Sequence, residues 1–131
     1  MTSPTDQYHA HIYYDQATFV QGQRLHDEFS RMLALGSLPN LLLVGTLFDR
    51  PVGPHPQPQF EIHFLASALA EVTPILKASG LTCLVHPLTD DDLADHTTLA
   101  EWIGAPLPLD ETVLDPPGQN QGLARFGKAH F

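Results

Sequence analysis

Two histidines separated by one residue carry the clearest chemical signal in this chain. His9 and His11 lie in the run Tyr8-His-Ala-His-Ile-Tyr-Tyr14. Because side chains alternate between the two faces of a strand, positions i and i+2 project from the same side, about 7 Å apart along the backbone. Two imidazoles held in this way can bind one metal ion. The pair alone also fits an ordinary half-exposed strand with incidental histidines.

Neighbouring strands of the predicted sheet add metal-binding side chains to the same face. In the third strand Glu61 and His63 alternate with apolar residues from Phe60 to Phe64, and His86 ends the fourth strand. Directly opposed side chains on adjacent strands lie about 5 Å apart at Cβ, so several imidazoles can reach a common point. The pattern predicts a metal site whose ligands are imidazoles, with a carboxylate as one possible member.

Two further histidines are candidates for proton transfer or substrate contact. His55 lies within Gly53-Pro-His-Pro56, where prolines stiffen the loop and hold the ring at low entropic cost. His96 lies on the apolar face of a predicted helix, next to Asp95. Imidazoles titrate near neutral pH, which suits acid–base work. The alternatives are an exposed histidine in a rigid turn for His55 and a core histidine for His96.

The elements that position these residues follow a βαββαβ order. In chain order we predict a strand from Tyr8 to Tyr14, a helix capped by Asp15 and ended by Gly36, a strand from Leu41 to Phe48, a strand around Phe60 to Phe64, a helix from Ser67 to Ser79 stopped by Gly80, and a strand from Leu81 to His86. Pro74 either kinks the second helix or restarts it at Thr73. This order is typical of a ferredoxin-like α+β sandwich, with strand one central and an open sheet face opposite the helices.

An extra C-terminal helix is predicted after strand four. Thr89 to Asp92 resembles a capping box, apolar residues follow at helical spacing, and Gly104 ends the element. Trp102 would anchor this helix to the body. Beyond Leu114 the composition is that of a tail, which we expect to be extended or bound to a partner. The predicted division is a domain over 1–114 and a tail over 115–131.

Composition limits the classes of function. A chain of 131 residues forms one core, and its formal charge of −9 argues against a nucleic-acid or anionic-membrane partner. The single cysteine, Cys83, lies in an apolar run and is expected to be a reduced core thiol, which favours a cytoplasmic setting. We expect no membrane span and no signal peptide, because the sequence lacks the apolar stretches that either requires.

Three stretches of the sequence resemble the DOPA 4,5-dioxygenase family of small extradiol ring-cleaving enzymes. They are Tyr8-His-Ala-His-Ile-Tyr-Tyr-Asp15, Arg50-Pro-Val-Gly-Pro-His-Pro56 and His86-Pro-Leu-Thr-Asp-Asp-Asp-Leu-Ala-Asp-His96. They occur in the family's order and spacing, so the resemblance covers about Tyr8 to Leu114. It implies a ferredoxin-like homodimer that uses non-haem Fe(II) to cleave a catechol with O2. Zn(II) is an alternative occupant in the isolated protein.

The resemblance also implies roles for individual residues. The hypothesis is that three histidines hold the metal, namely His9, His11 and His86. Glu61 or His63 is the alternative third ligand. His55 and His96 would be substrate-side or acid–base groups, and Tyr13 would form a wall of the substrate pocket. The competing hypotheses are a non-catalytic module that binds a metal or small ligand, and a purely structural dimer.

Overall fold

One antiparallel sheet forms the frame of the computed structural model, which describes residues 3–128. Its strands in that part of the chain are β1 (Gln7–Tyr13), β2 (Leu41–Val44), β3 (Gln59–Leu65), β4 (Cys83–Pro87) and β5 (Glu101–Ile103). They lie in the order β2-β3-β1-β4-β5, so β1 is central between β3 and β4, as predicted. The predicted ferredoxin-like α+β fold is confirmed. Strand β2 ends four residues earlier than expected, after a bulge between Leu41 and Leu43.

Two long helices cross between the strands, and two short ones follow later in the described chain. They are α1 (Phe19–Leu35), α2 (Leu69–Ala78), α3 (Asp92–His96) and α4 (Gln121–Arg125). Helix α1 ends as predicted at Gly36, whose φ of 65° suits a residue without Cβ. Asp15 does not cap α1 directly: its carboxylate accepts the amide of Thr18, the residue before the helix. None of the helices within residues 3–128 has the length and apolarity to cross a membrane.

Helix α2 contains Pro74 without being interrupted by it. A short 3-10 turn, Ala66–Ala68, precedes the helix, which therefore begins at Leu69 rather than at Ser67. Proline removes one amide donor from the ladder. The buried side chains on either side, Val72 and Leu76, are both 0% exposed and hold the helix on the sheet.

The apolar core lies between the helices and one face of the sheet. Alternate residues of β1, Ala10 and Ile12, face the helices and are fully buried. The predicted partners from β3 lie in the same core, as do Phe29 of α1 and Leu76 of α2. Burying each large apolar side chain stabilises the fold by about 1.5–3 kcal/mol. The strict alternation along β1 sends His9 and His11 to the opposite face.

The predicted helix from Thr89 to Gly104 is wrong over most of its length. Helix α3 has only five residues, and its cap is Asp91, whose carboxylate accepts the amide of Ala94. The chain then turns and forms β5, which pairs with the edge of β4. Pairing satisfies backbone groups that an edge strand would otherwise expose, and Trp102 anchors this strand rather than a helix.

The chain beyond Leu114 is not simply extended. Helix α4 forms there because the side chain of Asn120 accepts the amide of Gly122 at its N-terminus. The same side chain donates to the carbonyl of Thr89 and to the carboxylate of Asp95, so this segment is tied to the loop before α3. Residues 1–2 and 129–131, the latter including His130, lie outside the described residues.

Candidate metal centre

The sheet face opposite the helices is buried rather than open. The expectation of an open face is wrong, because the proline-rich loop (residues 49–58), α3 and the C-terminal segment (residues 115–128) cover it. The polar side chains that this face carries are all at most 6% exposed: His9, His11, Gln59, Glu61, His63 and His86. Burying so many polar groups is costly unless each is paired or binds an ion.

Strand register brings the predicted residues together on this face. His9 of β1 lies opposite His63 of β3 on one side and His86 of β4 on the other. His11 lies opposite Glu61. The predicted grouping of these side chains on one face of the central strands is therefore what the fold produces.

Three imidazoles converge closely enough to hold one ion. One nitrogen each from His9, His11 and His86 lies within 4.8 Å of the others. The Nε2 atoms of His11 and His86 are 3.0 Å apart. Metal–imidazole distances are about 2.1 Å, so two such nitrogens around one ion would be about 3.0 Å apart at a right angle and about 3.4 Å apart at a tetrahedral angle. The observed separation fits a pair of ligands.

The outer nitrogens of these two rings fix where their protons lie. Nδ1 of His86 donates to the carbonyl of Pro87 at 2.8 Å, and Nδ1 of His11 donates to Oε1 of Gln59 at 3.0 Å. Because both acceptors are oxygens, each neutral ring carries its proton on Nδ1 and a lone pair on Nε2. Two lone pairs therefore face each other, an arrangement that a cation between them would stabilise.

A proton is a poor candidate for that cation. Burial lowers the pKa of His9, His11 and His86 well below the usual histidine value, and neighbouring imidazoles lower it further. Within residues 3–128, Nε2 of His9 is buried and has no hydrogen-bond partner. The donor set of neutral imidazoles is suited to a first-row transition metal. These residues thus fit a metal ion.

A second group of possible ligands consists of His9, Glu61 and His63, again with atoms within 4.8 Å of one another. Nδ1 of His63 accepts the amide of Gly127 at 2.8 Å. The ring's proton is therefore on Nε2, which donates to the carboxylate of Glu61. Both nitrogens of His63 are already used, so this group is less suited to an ion than the first.

His55 lies beside the first group and is held by Tyr13. A 2.6 Å hydrogen bond joins Nδ1 of His55 to the Tyr13 hydroxyl, and the His55 ring centre is 4.2 Å from that of His11. Burial, followed by the nearby His96 and His86, lowers the pKa of His55 to about 3. Its Nε2 is buried and has no hydrogen-bond partner in the described chain. Tyr13 itself is 1% exposed and lies behind His55, stacked on Trp102, rather than among the cavity-lining residues.

His96 lies on the other side, with its ring centre 4.3 Å from that of His86. Its Nδ1 donates to the backbone carbonyl of Asp92 at 2.8 Å and lies 3.3 Å from the Asp92 carboxylate. Burial opposes its charge, but the bonds to Asp92 outweigh burial and raise the pKa of His96. Hydrogen bonds from His96 and from the amide of Asp115 outweigh the effect of burial on Asp92 and lower its pKa.

A cavity of about 160 Å³ reaches these rings. It is lined by five histidines together with loop residues and the C-terminal segment; the histidines are His9, His11, His55, His86 and His96. Asn120, Gly122 and Arg125 supply part of the opposite wall. The arrangement can bind a small ligand against a metal ion with two further imidazoles beside it.

Sequence reasoning missed several residues that the site uses. Gln59 shares the i, i+2 spacing of Glu61 and His63, so strand alternation alone could have assigned it to this face. The contributions of Phe126 and Gly127 had no sequence signal, because the segment that carries them has the composition of a tail. Phe126 stacks near His9 and His63, at 6.2 and 5.5 Å between ring centres.

Comparison with known proteins gives one family and similar relatives. The model of the Dopa 4,5-dioxygenase family matches residues 8–113. The chain is 33% identical to a DOPA 4,5-dioxygenase of Amanita muscaria over 83% of its length, and 30% identical to an uncharacterized 21.2 kDa protein of Botryotinia fuckeliana over 79%. It spans only 50% and 61% of the lengths of these relatives.

A solved structure resembles the whole fold. The crystal structure of "a putative dioxygenase" from Nostoc punctiforme superposes with a TM-score of 0.71 at 33% identity. The match covers 84% of this chain and 91% of that one.

Proposed function

Because the chain belongs to the Dopa 4,5-dioxygenase family, we propose that it is a non-haem Fe(II) extradiol dioxygenase that opens the ring of a catechol with O2. The observation that carries the proposal is the pair of Nε2 lone pairs of His11 and His86, 3.0 Å apart at the end of a cavity. His9, whose Nε2 has no partner within residues 3–128, is the third ligand. Zn(II) can occupy the same imidazoles in the isolated protein.

The overall reaction balances without a further co-reactant. Fe(II) held by the three imidazoles would supply adjacent positions for a catecholate and O2. The ring bond next to the diol breaks, one oxygen atom of O2 enters the new carboxylate and the other enters the new aldehyde. The two electron pairs that reduce O2 come from the catechol itself.

His55 and His96 are the proposed acid–base groups. Both rings line the cavity, beside His11 and His86 respectively. Each is fixed by a hydrogen bond at Nδ1, to Tyr13 in one case and to the Asp92 carbonyl in the other, which leaves Nε2 for the substrate. One of the two rings would take a proton from the incoming catechol and later return one as the ring opens. Tyr13 then acts through His55 rather than as a pocket wall.

The size of the cavity supports a substrate with a single ring. A buried cavity of about 150 Å³ accommodates benzene in another protein, and the cavity here is of about 160 Å³. Catechols with small substituents fit this volume better than fused or linked ring systems. The C-terminal segment lines one wall of this cavity and would limit the access of bulk water to the reacting ring.

The test is reconstitution with Fe(II) without oxygen, followed by air and a panel of single-ring catechols that includes DOPA. We expect uptake of one O2 per catechol and the appearance of a yellow ring-fission product. Iron uptake with no oxygen consumption across the panel would contradict the proposal and favour a non-catalytic metal-binding module.

Two variants test the ligand assignment within the same experiment. His11→Ala should abolish bound iron and turnover, because it removes one of the paired Nε2 atoms. His26→Ala is the matched control, since that ring lies on α1 and packs against Phe60 on the core side of the sheet, opposite the face that carries the proposed ligands. Full retention of iron and turnover in His11→Ala would refute the assignment.

A further inference from the structure

The geometry points to a positioning role for Glu61 and His63: we propose that they hold His9 for metal binding and are themselves locked by the C-terminal segment. This inference rests on the proposed function, because it concerns the same ion. It assigns to residues 126–127 a part in the site, although the family model ends at residue 113.

The first link runs from the C-terminal segment to His63. A backbone amide can only donate, so the 2.8 Å contact from Gly127 makes Nδ1 of His63 an acceptor. His63 must then carry its proton on Nε2, where it donates to the Glu61 carboxylate. His63 is 0% exposed, so no solvent competes for either bond.

The second link runs from Glu61 to His9. Oε2 of Glu61 lies 3.7 Å from Nδ1 of His9, which is an electrostatic contact rather than a hydrogen bond. A carboxylate beside Nδ1 favours the tautomer whose proton is on that atom, and it leaves the lone pair on Nε2. Histidine ligands of metals are commonly held by a carboxylate behind the ring in this way.

Stacking fixes the plane of the His9 ring as well. His63 lies nearly parallel to it, with 3.9 Å between ring centres, and Phe126 lies over it at 6.2 Å. Rotation of His9 away from the other ligands would break both contacts. The proposal also accounts for the burial of the Glu61 carboxylate. Its Oε1 atom has no hydrogen-bond partner within residues 3–128. A cation bound by His9 would place a positive charge beside this buried negative one.

The experiment measures metal release from the full-length protein with Co(II) as the probe ion, since its visible absorbance reports on its ligands. Glu61→Gln keeps the shape of the side chain and removes its charge. We expect it to bind one Co(II) per chain with an unchanged number of imidazole ligands, but to lose the ion to a chelator about 10–100-fold faster than the wild type. Glu71→Gln, an identical change on the exposed face of α2, is the control and should release Co(II) at the wild-type rate.

Two results would overturn the inference. Release at the wild-type rate would show that Glu61 does not hold His9, and complete loss of binding in a folded variant would show that Glu61 is a ligand. His63→Gln is the second variant, and we expect it also to release Co(II) faster than the wild type. It tests the same positioning role if Glu61→Gln does not fold. Failure of the proposed function would be seen separately, in the wild-type protein, as no uptake of metal or no consumption of oxygen.

Discussion

The chemistry of the site depends on which nitrogen of each imidazole carries the proton. Oxygen acceptors at Nδ1 determine this for His11, His86 and His96, and an amide donor determines it for His63. The outcome differs by position: Nε2 keeps a lone pair on the ligands and a proton on His63. Residues that never touch the ion therefore decide which rings can bind it.

Gln59 provides a direct test of this at the residue scale. Gln59→Leu removes the acceptor for Nδ1 of His11 and leaves a buried donor without a partner. We expect the free energy of unfolding to fall by about 1–3 kcal/mol and the affinity for metal to fall about 10–100-fold. Urea unfolding and chelator competition measure the two effects.

The control for Gln59→Leu is Gln16→Leu, the same substitution at an exposed position before α1. It should change neither quantity. If Gln59→Leu binds metal as tightly as the wild type, the bond to Gln59 does not set the tautomer of His11.

Cys83 is predicted to be inert while the protein is folded. Burial raises the pKa of its thiol to about 12, and the side chain is 0% exposed. Only roughly one thiol in 10,000 would then be ionised at pH 8, and the thiolate is the reactive form. An aromatic disulfide reagent should label the protein at the rate of unfolding, and rapid stoichiometric labelling of the native protein would contradict this.

At the scale of elements, strands supply the ligands and loops cover them. The central strand β1 carries two histidines of the site, and its neighbours β3 and β4 carry the rest of the buried polar face. The cover consists of the proline-rich loop with His55, helix α3 with His96 and the C-terminal segment. Strands give rigid ligand geometry, while the cover controls access.

Asn120 is the residue that attaches the C-terminal segment to the loop before α3. Asn120→Ala removes bonds to the Thr89 carbonyl, the Asp95 carboxylate and the amide of Gly122. We expect the segment to open more often, so that the amide of Gly127 exchanges with deuterium faster while amides of β1 keep their protection. Native-state hydrogen exchange measures both.

The control for this variant is Ser79→Ala, which removes a side-chain bond to the Leu76 carbonyl at the end of α2, on the helix side of the sheet. Unchanged exchange at Gly127 in Asn120→Ala would show that other contacts hold the segment in place.

Over the whole molecule, the sequence was sufficient for the parts that depend on local periodicity. Alternation from Tyr8 to Tyr14 and from Phe60 to Phe64 assigned the core face and the histidine face correctly. The sequence pattern did not predict the parts of the structure that depend on contacts between residues distant in sequence. Trp102 lies in a strand because β5 pairs with the edge of β4, and the segment that contains α4 is held in place because Asn120 bonds a loop about 30 residues earlier in the chain.

Hydrogen-bond partners of the histidines were the other part that sequence could not supply. The partner of His63 is an amide 64 residues away, and that of His11 is a glutamine 48 residues away. Whether such residues meet depends both on the register of the strands and on the path of the loops. Residue spacing alone did not distinguish between His86 and the pair Glu61 and His63 as the source of the third ligand. The hydrogen bonds in the structure favour His86.

The family resemblance also predicts a homodimer. Analytical ultracentrifugation should give twice the chain mass of 14.4 kDa. Because each chain carries a formal charge of −9, added salt should screen repulsion and strengthen the association. A mass of 14.4 kDa at all protein and salt concentrations would contradict this prediction.

The most direct test of the metal centre is a crystal structure of the protein loaded with Fe(II) without oxygen, with anomalous scattering recorded at the iron edge. We predict a single iron peak within bonding distance of one nitrogen each from His9, His11 and His86, with Glu61 and His63 behind His9. An iron peak bonded to Glu61 or His63 instead, or no peak between His11 and His86, would contradict the account.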